Sequence, residues 1–207
     1  RRSSDLELQT ITDDWQGKAF ANEFFTLENL KKQRVQTGAK IVHLATHGTF
    51  DPGNPGDSYI QLWNDRLKLD KLRELAADGD RIELLVLSAC ETAFGSVDVE
   101  LGFAGLAVRS GVKSVLASLW QVDDAGTLGL MSEFYRQLYQ QEVTVKAEAL
   151  RQAQISMIEG DLRVEGGQLR SRSRGGGVPL PEGEEHEELS LSHPYYWASF
   201  TMVGSPW

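Results

Sequence analysis

Apolar residues in this chain fall into short dense runs, set apart by stretches rich in polar residues and glycine. Ile41-Val42-His43-Leu44-Ala45, Ile82-Glu83-Leu84-Leu85-Val86-Leu87 and Ser114-Val115-Leu116-Ala117-Ser118-Leu119 are brief and β-rich, the pattern of strands buried on both faces. The alternation over residues 6–11 predicts an edge strand, and residues 197–203 return to a strand pattern. Tyr59-Ile60-Gln61-Leu62 and Leu67-Lys68-Leu69 predict a small hairpin around Asn64-Asp65. Residues 49–58 are a loop by their proline and glycine content. Phe24, Phe25, Leu27, Leu30 and Val35 predict a helix from about Thr26, with Thr26 as its N-cap and Gly38 as its end. Further helices are expected over about 70–77, capped by Asp70, and over 100–109, closed by Gly111. Two more follow at about 125–140 and 144–159. Strands alternating with helices give an α/β fold with a mainly parallel sheet. No internal repeat is present.

The 207 residues suit one domain with a sizeable core, so 1–207 is expected to be a single domain. The chain opens on Arg1, not Met, and is expected to be the C-terminal part of a longer protein. Residues 160–192 differ in character from the rest. Arg163, Arg170, Arg172 and Arg174 precede three glycines, and then come Glu182, Glu184, Glu185, Glu187 and Glu188 with Pro179 and Pro181. A flexible excursion is expected there. Its basic and acidic halves pairing with each other is the simplest role; the basic half is also a candidate cleavable or pseudo-substrate segment.

The formal net charge of −9 argues against a nucleic-acid-binding surface and serves solubility. The single cysteine excludes an internal disulfide and a multi-cysteine zinc site, and suits a reducing, cytoplasmic compartment. The glutamate cluster fits no calcium-loop spacing, so no metal is expected. No apolar run reaches the ~18–20 residues of a membrane helix, and no membrane association is expected. The first residues lack the shape of a signal peptide.

Two of the buried strands run into reactive residue types. The first leads to His47-Gly48 and the second to Cys90. Ligands of open α/β sheets gather outside the carboxyl ends of strands. If these strands are neighbours, His47 and Cys90 face one crevice. That pair suits acyl transfer: the histidine takes the thiol proton and later protonates the leaving amine. The N–H groups of Gly48 and Cys90 are candidate oxyanion donors. Ser88 and Ala89 are small enough for a tight turn beneath the thiol. A lone cysteine after an apolar strand is more often packing, and a lone histidine more often structural. It is the pair, each at a strand end, that points to chemistry. His43, four residues before His47, would share its strand face and is expected to be structural. His186 is expected to be solvated, and His193 to tether the last strand.

His43-Leu44-Ala45-Thr46-His47-Gly48 followed by Leu87-Ser88-Ala89-Cys90-Glu91-Thr92-Ala93 resembles the CHAT family, caspase-like domains associated with tetratricopeptide repeats. Separases, caspases and gingipains are its relatives. The interval from His47 to Cys90 is close to the ~50 residues between the caspase pair. Phe50-Asp51-Pro52 with Asn54-Pro55 and Ser58, Ser118-Leu119-Trp120-Gln121-Val122-Asp123-Asp124, and His193-Pro194-Tyr195-Tyr196-Trp197-Ala198-Ser199-Phe200 fit the same family. The closing Gly204-Ser205-Pro206-Trp207 is similar to its cyanobacterial, HetF-like branch. The resemblance covers roughly residues 20–207.

It implies a caspase-like three-layer α/β/α sandwich with a mainly parallel central sheet. It also implies a cysteine endopeptidase with His47 as general base, Cys90 as nucleophile and no cofactor. Glu91-Thr92 departs from caspases, which carry a glycine two residues after the cysteine, and nothing supplies their arginine pocket. Cleavage after Asp is therefore not expected. Separases carry a similar Leu-Trp followed by acidic residues that receive a basic P1 side chain. By that resemblance cleavage follows Arg or Lys, with Asp124 the first candidate for the P1 pocket and Asp123 the second. The competing role for both is to cap the helix starting near Ala125, and the roles are not exclusive. The partners implied are a protein substrate with a basic cleavage site and a regulatory protein or N-terminal repeat domain. The rival function is an interaction module that scaffolds beside a repeat domain; the presence of His47, Gly48 and Cys90 argues against it. A redox role is weaker, because no second cysteine can resolve an oxidised Cys90.

Overall fold

The computed structural model describes residues 2–14, 17–49, 51, 54–77, 81–88, 98–120, 123–140, 145–172, 176–180 and 188–207. It opens on a helix, α1 (Arg2–Asp14), where a strand was expected over residues 6–11. The helix buries Glu7, Thr10 and Ile11, whose spacing of three and one marks a helical face. Two of the three are polar, so the apolar residues alone do not show the period.

Thr26 caps α2 (Leu27–Thr37) by accepting the Asn29 N–H, and Gly38 ends it in the left-handed region at φ 64°. Then come β1 (Ile41–Leu44) and β2 (Gly48–Thr49), the latter too short for any period to announce. β3 (Tyr59–Gln61) and β4 (Arg66–Lys68) form the expected hairpin, and β2 adds to it as a third antiparallel strand. α3 (Leu69–Ala77) starts one residue before Asp70, which therefore lies inside the first turn instead of capping it. β5 (Leu84–Leu87), α4 (Asp98–Arg109) and β6 (Ser114–Ser118) follow. α5 (Asp124–Gln140) and α6 (Lys146–Ile158) lie close to their expected limits.

The expectation of a loop over 160–192 is corrected in its described part. β7 (Leu162–Glu165), β8 (Gln168–Ser171), β9 (Gly177–Pro179) and β10 (Glu188–Ser190) form an antiparallel sheet in the order β10-β7-β8-β9. β7 turns into β8 through Gly166-Gly167, at φ 59° and 70°, the two left-handed positions of a tight hairpin turn. Leu162, Val164 and Leu169 are buried while the basic residues face outward. Arg163 and Arg170 are cross-strand partners, and Glu165 meets both, at 3.4 and 3.6 Å. Arg172 meets Asp161 at 3.6 Å. Arg163 and Arg170 thus find their acidic partner within the sheet, and Arg172 finds its own just before β7. Arg174 and Glu182, Glu184, Glu185 and Glu187 lie outside the described residues.

The last strand, β11 (Phe200–Gly204), begins three residues later than expected. It completes the central sheet, ordered β1-β5-β6-β11. β1, β5 and β6 are parallel, and β11 is an antiparallel edge. The fold is α/β with a mainly parallel central sheet, as the sequence predicts. Every residue of β5 and β6 is buried, so both faces of these strands are covered. On one face Val42, Leu44, Leu85, Leu87, Val115 and Ala117 pack with Leu72, Leu75 and Ala76 of α3 and with Phe103, Ala104 and Ala107 of α4. Each fully buried leucine contributes about 1.5–3 kcal/mol.

The chain divides into two compact units, residues 20–121 with 200–206, and residues 1–19 with 122–199 and 207. The first holds the central sheet and the β2-β3-β4 sheet. In the second, α5 packs against α1 and α6. There Glu133, only 3% exposed, accepts from the side chains of Arg136, Gln137 and Ser156. The pairing raises the Arg136 guanidinium further above its ordinary range.

Candidate active site

β1 and β5 are neighbours, as the pairing of His47 with Cys90 requires. They run parallel in register, with Leu44 opposite Leu87. The Ser88 N–H carries the ladder one residue further, donating to the Leu44 carbonyl at 3.2 Å. The carboxyl ends of β1 and β5, which precede His47 and Cys90 in the sequence, therefore lie at the same end of the sheet. His47 stands three residues past Leu44, and Cys90 three residues past Leu87. Cys90 itself lies outside the described residues, with Ala89 and Glu91.

The β1–β2 connection is tightly held. Thr46 Oγ1 donates to the Gln61 carbonyl at 2.8 Å, and the Gln61 N–H donates to the His47 carbonyl at 2.8 Å. His47 is exposed and Gly48 is buried. Gly48 faces Ile60 across the β2–β3 pair. The Gln61-to-His47 bond flanking that pair is the pattern of a non-hydrogen-bonded antiparallel pair, so the Gly48 N–H is not spent on β3. Nothing in the sequence around Thr46 signals that its hydroxyl has a partner fifteen residues on.

His43 lies within β1 opposite Val86, with Nε2 closed off from solvent. Because the strand ends at Leu44, its alternation does not extend to His47, and a spacing of four does not place the two histidines on one strand face. His193 accepts the Tyr195 N–H through Nδ1 at 3.2 Å and caps the short 3-10 turn Pro194–Tyr196 that precedes β11. His186 lies outside the described residues.

Asp123 and Asp124 belong to the helical unit. Asp123 caps α5: its Oδ1 accepts the Gly126 N–H at 2.6 Å and its carbonyl accepts the Thr127 N–H at 3.0 Å. Asp124 is the first residue of the helix and half-buried, where the helix dipole favours a negative charge. The Tyr196 hydroxyl is raised above its ordinary range, first by burial and then by the Asp123 charge. Tyr196, which lies within the His193-to-Phe200 motif, thus feels the Asp123 charge. Among the described residues no group of three or more His, Cys, Asp or Glu could hold a metal ion. No helix among them is long and apolar enough to cross a membrane.

A mainly parallel α/β sheet, with an exposed histidine beyond its edge strand β1 and a cysteine in the sequence beyond the neighbouring β5, is consistent with the caspase-like class of α/β proteins. Family comparison makes this specific: the CHAT domain model matches residues 3–205, and the chain belongs to that family, a caspase-like peptidase family. Among curated proteins, none matches the chain.

Proposed function

We propose that the chain is a cysteine endopeptidase that cleaves a protein partner after arginine or lysine, with Cys90 as nucleophile and His47 as its base. The observation that supports this is the parallel register of β1 and β5, which brings the carboxyl ends of the strands preceding His47 and Cys90 to one end of the sheet. His47 takes the Cys90 proton, and the thiolate attacks the scissile carbonyl. As the tetrahedral intermediate collapses the C–N bond breaks, and the imidazolium gives its proton to the leaving amine. Water, deprotonated by His47, then attacks the thioester; the C–S bond breaks and the thiol regains its proton. The N–H groups of Gly48 and Cys90 stabilise the oxyanion; losing one such donor costs ~3–4 kcal/mol. That the Gly48 N–H is not spent on β3 supports that role. Asp124 is the first candidate for holding the basic P1 side chain, with Asp123 second because its Oδ1 already serves the helix cap.

The test is a fluorogenic peptide library varied at P1, comparing the native chain with Cys90→Ala. Cleavage after Arg or Lys, lost in the variant, is expected. No cleavage by the native chain, together with no labelling of Cys90 by an electrophilic peptide, would overturn the assignment in favour of an interaction module.

A further inference from the structure

The segment between β1 and β2 is three residues long, Ala45-Thr46-His47, and leads from the central sheet to the β2-β3-β4 sheet. It belongs to no strand, so its conformation is set by what grips it. Gln61 of β3 does so twice, once through its carbonyl to the Thr46 hydroxyl and once through its N–H to the His47 carbonyl. Gln61 is itself well fixed. Its Nε2 donates to the carbonyls of Leu62 and Asp65, at 2.7 and 3.1 Å, and closes the β3–β4 turn. On either side of it Ile60 and Leu62 are buried in the core. Thr46 is β-branched and stiff at χ1, so a bond to its hydroxyl constrains the backbone behind it.

We infer that Thr46 is a positioning residue for His47, its hydroxyl locking the peptide from which the imidazole approaches the nucleophile. This rests on the His47–Cys90 assignment above. Two bonds on consecutive residues restrain the 46–47 backbone from both sides. Without the hydroxyl, only the bond to the His47 carbonyl remains on Gln61, and the turn regains freedom on the β1 side. Misplacing a catalytic group by about 1 Å costs on the order of 10²-fold in rate. A threonine that merely stabilised the turn would alter the melting temperature and leave the thiol's reactivity alone.

Cys90 is the only cysteine in the chain, so alkylation by iodoacetamide reports a single thiol. A thiolate held by an imidazolium alkylates well below the free-thiol range near ~8.5. The measurement is the pH–rate profile of alkylation for the 207-residue chain and for His47→Ala, Thr46→Val and Thr46→Ser, with Thr46→Ala in reserve should the valine variant misfold. The native chain is expected to show a reactive limb below about pH 7 that His47→Ala removes. Thr46→Val is expected to lower the rate on that limb about tenfold or more, with a parallel fall in kcat at little change in KM. Thr46→Ser should restore both. If the native limb is present and the hydroxyl-free variants keep it undiminished, the positioning role is overturned while the dyad stands. If the native chain shows only an ordinary thiol limb, unchanged in His47→Ala, the dyad falls and the positioning role falls with it.

Discussion

Beyond β1 and at the start of α5 the chain presents acid–base residues in two different ways. At the first, the exposed His47 is held through its carbonyl by the Gln61 N–H, and its neighbour Thr46 through its hydroxyl by the Gln61 carbonyl. At the second, an acidic side chain takes the bond, because the Asp123 carboxylate caps the helix. His47 is thus placed through its main chain, whereas Asp123 spends a carboxylate oxygen on the helix cap. The difference ranks residues that look equally suggestive as motifs, and it separates Asp124 from Asp123.

The largest test of that contrast is His47→Ala, expected to lower kcat/KM on a basic P1 peptide by about 10⁴-fold or more with little change in folding. Next is Asp124→Ala, expected to cut the preference for Arg or Lys by about 10–100-fold, the scale of one lost charge-assisted hydrogen bond. An unchanged preference and rate would remove Asp124 from the pocket. Asp123→Ala should instead appear as a loss of about 1 kcal/mol in urea unfolding, the usual cost of a deleted N-cap. If Asp123→Ala changes P1 preference more than Asp124→Ala does, the ranking is reversed. The smallest effect concerns Glu148, a carboxylate near solvent that neither caps nor catalyses. Hydrogen bonds from Arg151 and then Gln152 hold it down to about 2 from an ordinary 4.5. A depressed carboxyl adds stability above its unfolded value and loses it as pH falls from 4.5 towards 2. Solvent screening keeps this small, so Glu148→Gln should only slightly flatten the acid fall of the urea midpoint.

The central sheet was legible because β5 and β6 are buried at every position, and such strands must be written as continuous apolar runs. α1 was not, because its buried face carries Glu7 and Thr10. The β7–β10 sheet was masked by its outward arginines and glutamates, although Leu162, Val164 and Leu169 alternate and the Gly166-Gly167 pair is a hairpin signal. Charge composition outweighed a period only three or four residues long. At the candidate site, His47 and Gly48 could be read from a strand end and a motif. The grip of Gln61 could not, since it depends on a contact made only when β2 pairs with β3. The cap at Asp123 was legible as one of two roles, and the bond to Gly126 shows that it is filled.

β11 follows residue 199, yet it is an edge strand of a sheet whose other members precede residue 119. Its far end is strapped down: the Ser205 N–H donates to the Lys113 carbonyl at 2.9 Å, and Ser114 Oγ donates to the Ser205 carbonyl. At Gly204, with φ 102°, any Cβ would come within 2.4 Å of that Lys113 carbonyl oxygen. During synthesis, residues 122–199 must emerge before this strand does. At about 5–20 residues per second, that is a wait of roughly 4–16 s with β6 open along one side. For that interval the side of β6 that β11 covers in the folded sheet lacks its partner strand.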